Sequence, residues 1–79
     1  MKMKLYYITK TDETSVKTLC IDKRDMCNAW IEWDKIDQSR FTPRLFQKVR
    51  DARAYANKNF GKGGCDVRSV VADFAGYIS

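Results

Sequence analysis

The chain has 79 residues, 44% of them hydrophobic and 13% aromatic, with one proline, four glycines and a formal charge of +5. This size makes one small domain with a modest core, and the composition is too apolar and too aromatic for a disordered chain. No apolar run approaches the roughly 20 residues that span a bilayer, and "MKMKLYYITKTDE" lacks the apolar core of a signal peptide, so a cytoplasmic protein with no membrane partner is expected.

The predicted elements follow in chain order. "KLYYITK" (4–10) is β-rich, with Met3, Leu5 and Tyr7 on one face and Tyr6 and Ile8 on the other. "TDETS" (11–15) is a polar turn, and "VKTLCID" (16–22) is the returning strand of an antiparallel hairpin. In that strand Leu19 and Ile21 share one face, and Val16, Thr18 and Cys20 the other. "KRDMCNAWIEWDKID" (23–37) fits two periods. As a strand it turns Ala29, Ile31 and Trp33 inward and Trp30, Glu32 and Asp34 outward. As a helix it aligns Met26, Ala29, Trp30, Trp33 and Ile36. Tryptophan and isoleucine favour the strand.

A main amphipathic helix is expected over about residues 43–60, and two starts compete for it. Thr42 and Pro43 fit an N-cap and first helical position. Alternatively, Phe41–Phe46 is a short edge strand that tolerates Pro43, and the helix begins near Lys48. Leu45, Val49, Ala52, Ala56 and Phe60 form the packing stripe on a helical wheel. Gly61 is placed to stop the helix in a left-handed conformation, and "GKGG" is its exit turn. "CDVRSVVADF" (65–74) is a last strand, after which "AG" and "YIS" add a short extended piece. The expected fold is α+β: one domain over 1–79, an antiparallel sheet of three to five strands on one helix, in the order β-β-(β)-α-β.

Charge is unevenly placed. Residues 1–40 carry eight basic and seven acidic side chains, residues 41–64 six and one, and residues 65–79 one and two. The excess therefore lies in "FTPRLFQKVRDARAYANKNFGKGG". Its basic residues Arg44, Lys48, Arg50, Arg53, Lys58 and Lys62 are the candidate partner-binding set, Arg50 and Arg53 foremost because they neighbour each other and Asn57 on the wheel. Asp51, which sits among Lys48, Lys58 and Tyr55 on the wheel, is expected to neutralise part of that flank by i, i−3 pairing. Arginine suits bidentate contacts to phosphate or carboxylate. "GKGG" is no phosphate loop, because its glycines leave a helix instead of entering one. Trp30, outward in the strand reading, completes the set as a protein-interface anchor.

Catalytic chemistry has little support. With no histidine there is no Ser–His or Cys–His pair. Glu32, Asp34 and Asp37 read as a solvated acidic edge, and no cofactor or metal is expected. Cys20, Cys27 and Cys65 are odd in number and irregular in spacing, which predicts buried or half-buried free thiols and neither a disulfide framework nor structural zinc.

The second half, "SRFTPRLFQKVRDARAYANKNFGKGGCDVRSVVADFAGYIS", resembles tiny proteins of phages and mobile elements: an aromatic lead-in, an alanine-spaced helix, a glycine exit and a final strand. Among these, the chain most resembles the anti-CRISPR inhibitors of phages. That resemblance implies a non-enzymatic inhibitor, a monomer or weak homodimer in the host cytoplasm. It would occlude a nucleic-acid or partner site on a bacterial protein complex such as a CRISPR effector. Residue composition alone supports a second function, a nucleic-acid-binding accessory module that contacts phosphates through the basic helix.

Overall fold

A computed structural model describes residues 2–73; the expected extended piece at 77–79 lies outside the described residues. The fold is α+β, with six strands in one antiparallel sheet and one helix. Strands β1 (Lys2–Asp12), β2 (Ser15–Asp22), β3 (Asn28–Glu32), β4 (Phe41–Pro43) and β5 (Leu45–Phe46) precede the helix α1 (Val49–Phe60), and β6 (Asp66–Asp73) follows it.

β1 and β2 form the expected hairpin, but they pair only from Thr9↔Thr18 to Asp12↔Ser15. Beyond that they part like the arms of a fork. Segment 41–46 fills the gap. β4 runs down β2, pairing Phe41 with Asp22 and Pro43 with Cys20. The backbone turns at Arg44, whose N–H donates to the Leu19 carbonyl at 3.0 Å. β5 then runs up β1, pairing Leu45 with Tyr7 and Phe46 with Tyr6. This bend satisfies backbone groups on both arms that the splayed hairpin would otherwise leave unpaired. β3 pairs with the outer edge of β2, and β6 pairs with β1 from Thr9↔Asp66 to Lys2↔Asp73.

Helix α1 therefore starts six residues later than 43, the later of the two expected starts. Thr42 caps nothing and Pro43 sits in β4, because the backbone of 41–46 pairs with both arms of the fork. Leu45 leaves the helical stripe for β5. Lys48 occupies the N-cap in extended conformation without a side-chain cap bond. At the other end Gly61 has φ 86° and ψ 151°, outside the left-handed helical well and in a region open to glycine almost alone. Gly64 is equally constrained for another reason: a Cβ there would meet the Phe60 carbonyl oxygen at 2.9 Å.

Ala52 and Ala56 of α1 lie directly on the fork. Ile8, Leu19, Ala52 and Ala56 form the buried cluster, ringed by half-buried Tyr6, Trp30, Phe46, Tyr55, Phe60, Cys65 and Val67. Ile8 and Leu19 sit one residue beyond the last β1–β2 pair, so the helix seals the point where the hairpin opens. Leu5, Thr9, Thr18 and Cys20 are buried on the opposite face of the sheet. There the Thr9 hydroxyl has no hydrogen-bond partner among the described residues. A buried unsatisfied hydroxyl is costly, and valine has nearly the same shape. Thr9→Val should therefore raise stability by about 1 kcal/mol, or the melting temperature by roughly 4–8 °C. Thermal denaturation followed by circular dichroism checks this, and a lower melting temperature would show that the hydroxyl is satisfied in solution.

The connection from β2 to β3 and the one before β4 are held together by a half-buried ion pair. Arg40 Nη2 lies 3.1 Å from Asp22 Oδ2, and Arg40 Nε donates to the same carboxylate at 3.3 Å. The Arg24 backbone N–H donates to Asp22 Oδ1 at 3.0 Å. The hydrogen bond from Arg40, then that from Arg24, holds the Asp22 carboxyl below its usual pKa. Its stabilising contribution is thus complete above the ordinary aspartate value of about 3.9 and disappears as pH falls through the lower folded value. Melting temperature measured from about pH 6 to about pH 2 should separate the parent from Asp22→Asn at the upper end and bring the two together at the lower. Parallel curves would rule out this linkage.

Candidate binding surface

Arg50, Arg53 and Lys58 are all exposed on the outer arc of α1, with exposed Asn57 between the two arginines on the wheel. Lys48 stands immediately before the helix and Lys62 in the turn after it, both exposed. At 1.5 Å rise per residue, Arg50 and Lys58 are about 12 Å apart along the axis. Five of the six expected basic residues thus line one helix and its two ends. None forms an ion pair among the described residues, and the expected pairing of Asp51 with Lys48 or Lys58 is not formed.

Many cations elsewhere are engaged within the chain. Lys17 pairs with Asp12 and Lys35 with Glu32. The Lys10 ammonium lies 4.6 Å from the centre of the Trp30 ring, which also relieves its cross-strand apposition to Lys17. Arg44 is the sixth expected residue, and it stands apart from the other five. Its guanidinium lies 4.8 Å from the Tyr55 ring centre. Its Nε and Nη2 donate to Asn28 Oδ1 at 3.3 and 3.1 Å, while Asn28 Nδ2 donates to the Tyr55 hydroxyl at 2.9 Å. The fork bend, β3 and α1 are joined through this one side chain.

The tryptophans exchange their expected roles. Residues 28–32 are a strand, but the helix packs on the face that carries Trp30, which is opposite Leu19 in the β2–β3 register and edge-on to Phe60 at 5.2 Å. Trp30 is therefore half-buried core, a correction to its outward placement. Trp33 lies just past β3 in a 3-10 turn (Trp33–Lys35), is 50% exposed, and packs on Tyr7 with ring centres 5.0 Å apart. It is the exposed aromatic of this pair, missed because its acidic neighbours lie on both sides of it and give no facial bias. Met26, 69% exposed, is a second exposed apolar side chain, which the helical alternative places on its packing stripe. Its backbone has φ 60°, and hydrogen bonds to the Asp22 and Asp25 carboxylates hold the loop on either side of it.

The acidic edge is occupied by local bonds. Lys35 holds Glu32 below its usual pKa, and the hydroxyl and N–H of Ser39 do the same for Asp37. Among the described residues no three His, Cys, Asp or Glu side chains come together as metal ligands. The three cysteines are free thiols. Burial pushes the Cys20 thiol up to about 11 and raises that of Cys65. Cys27, expected to be at least half-buried, is exposed because it ends the loop before β3. No helix among the described residues is long and apolar enough to cross a membrane.

Comparison with protein-family models, curated proteins and solved structures finds no match.

Proposed function

We propose that this chain is a small binding module without catalytic chemistry that docks on a bacterial protein or ribonucleoprotein complex and inhibits it. The observation that carries this reading is the row of exposed cations along α1 and its ends, without acidic partners among the described residues while many other basic side chains are engaged. Such a surface draws in an anionic partner and orients the encounter. Trp33, backed by Tyr7, supplies an aromatic anchor of the kind on which interface energy concentrates, in place of Trp30. The resemblance to phage anti-CRISPR inhibitors supports placing the target among bacterial defence complexes.

Affinity capture from a bacterial lysate, with and without nuclease, tests the reading. Arg50→Glu/Arg53→Glu should lower capture of the partner by at least about tenfold, which is about 1.4 kcal/mol, with the circular dichroism spectrum unchanged. Trp33→Ala should weaken the same capture. Inhibition is read separately, as recovery of phage plaques on a CRISPR-immune host that expresses the protein. Capture that survives the charge reversal, or no partner at all, would refute the docking surface.

A further inference from the structure

We infer that the outer arc of α1 is a phosphate-contacting face that meets the backbone of a nucleic-acid duplex, and not an acidic protein surface. This deepens the docking reading above and rests on it, since it names what the basic half of that surface touches.

Two observations favour phosphate. The first is the absence of an apolar centre. Among the described residues the exposed large hydrophobic side chains are Val16, Met26, Trp33 and Val71, and none of them belongs to α1. The outer arc instead consists of arginine, lysine, asparagine and alanine, with a single acid, exposed Asp51, on the flank away from Arg50 and Arg53. Stable protein interfaces close around a desolvated apolar or aromatic centre, which this arc cannot form. Contact with a phosphate backbone needs no such centre, because its affinity comes from cations replacing condensed counterions.

The second observation distinguishes duplex from single strand. Proteins that hold single strands place stacking aromatics beside their cations. The one aromatic within the body of α1, Tyr55, is turned inward, against Phe46 at 5.6 Å and beneath the Arg44 guanidinium. The outer arc offers charge without stacking. A helix with cations spread over about 12 Å of its length suits backbone contact without base readout.

The test uses the full chain and fluorescently labelled probes: a 20-base-pair DNA duplex of arbitrary sequence, the corresponding single strand, and poly-glutamate as the acidic-protein surrogate. Anisotropy at about 50 mM salt should show duplex binding that is indifferent to sequence. Log affinity against log salt should fall with a slope of about −2.7 to −4.5, for three to five neutralised phosphates. Arg50→Glu/Arg53→Glu should lower duplex affinity at least tenfold. Arg24→Glu/Arg68→Glu makes the same change in net charge at exposed positions off the helix and should lower it less than threefold. Equal losses in the two variants would reduce the effect to net charge and overturn the inference. So would poly-glutamate or the single strand binding as tightly as the duplex, or no duplex binding at low salt. If duplex binding fails while lysate capture after nuclease treatment still depends on Arg50 and Arg53, this inference falls and the docking reading stands. If duplex binding holds and nuclease abolishes all capture, the protein-docking reading falls.

Discussion

Leu19→Ala should remove a large fraction of the protein's net stability. Leu19 is fully buried, and it occupies the point where β1 and β2 part. It faces Ile8, the two helix alanines and, across the strand pair, Trp30. Truncation there removes apolar burial and leaves a cavity that stiff neighbours cannot refill, a loss of about 3 kcal/mol. A domain this size has a net stability of about 0.05–0.15 kcal/mol per residue, so the loss takes a large fraction of the total. The melting temperature should fall by roughly 12–24 °C, read by circular dichroism or calorimetry. A shift of only a few degrees would mean that the helix does not close on the fork as described. Leu19→Met, which keeps most of the volume, should cost less than about 1.5 kcal/mol and serves as the control.

Arg44→Lys should be the next most damaging change at a half-exposed position. It preserves the charge, so an electrostatic role on the binding surface predicts little effect on folding. The structural role predicts more. A planar guanidinium stacks on Tyr55 while two of its N–H groups reach one amide oxygen, and a lysine ammonium reproduces neither geometry. The expected loss is about 1–2 kcal/mol, or roughly 4–16 °C in melting temperature. A double-mutant cycle with Asn28→Ala should show coupling of at least about 0.5 kcal/mol, since the two residues share the contact with Tyr55. Additive losses would show that the three-way contact does not act as a unit. Binding to the partner or to duplex DNA should change less than in Arg50→Glu/Arg53→Glu, because Arg44 points into the fold.

These two residues also mark how much the sequence reveals. Alternation along 4–10 and 16–22 identifies the hairpin and its two apolar faces, because a strand with period two displays both sets plainly. The i, i+4 alanines identify the buried side of α1, and Phe60 followed by Gly61 marks its end. The helix start is a different matter. Pro43 is equally at home as a first helical residue and in a short edge strand, and only the pairing of 41–46 with both arms of the fork decides between them. That pairing is a long-range property with no local mark. The same limit explains the tryptophans: β3 has apolar residues on both faces, so its inward side depends on register with β2. For the surface, counting charge finds the basic segment. It does not reveal that Asp51 stands aside from its lysines, nor that Arg44 is taken up by Tyr55 and Asn28.

The position of β1 has a consequence for biosynthesis. β1 is synthesised before the other five strands yet lies in the interior of the sheet, and its outer edge from Lys2 to Thr9 waits for residues 66–73, more than fifty positions downstream. Until these arrive, the nascent hairpin carries an open edge and a gap between its arms, with Tyr6, Tyr7 and Ile8 uncovered. Closure over such sequence distances is slow, and a nascent chain in that condition is exposed to sticking to its neighbours. Production of the protein should therefore benefit from slower translation at lower temperature, and chains that stop short of β6 should accumulate as insoluble material.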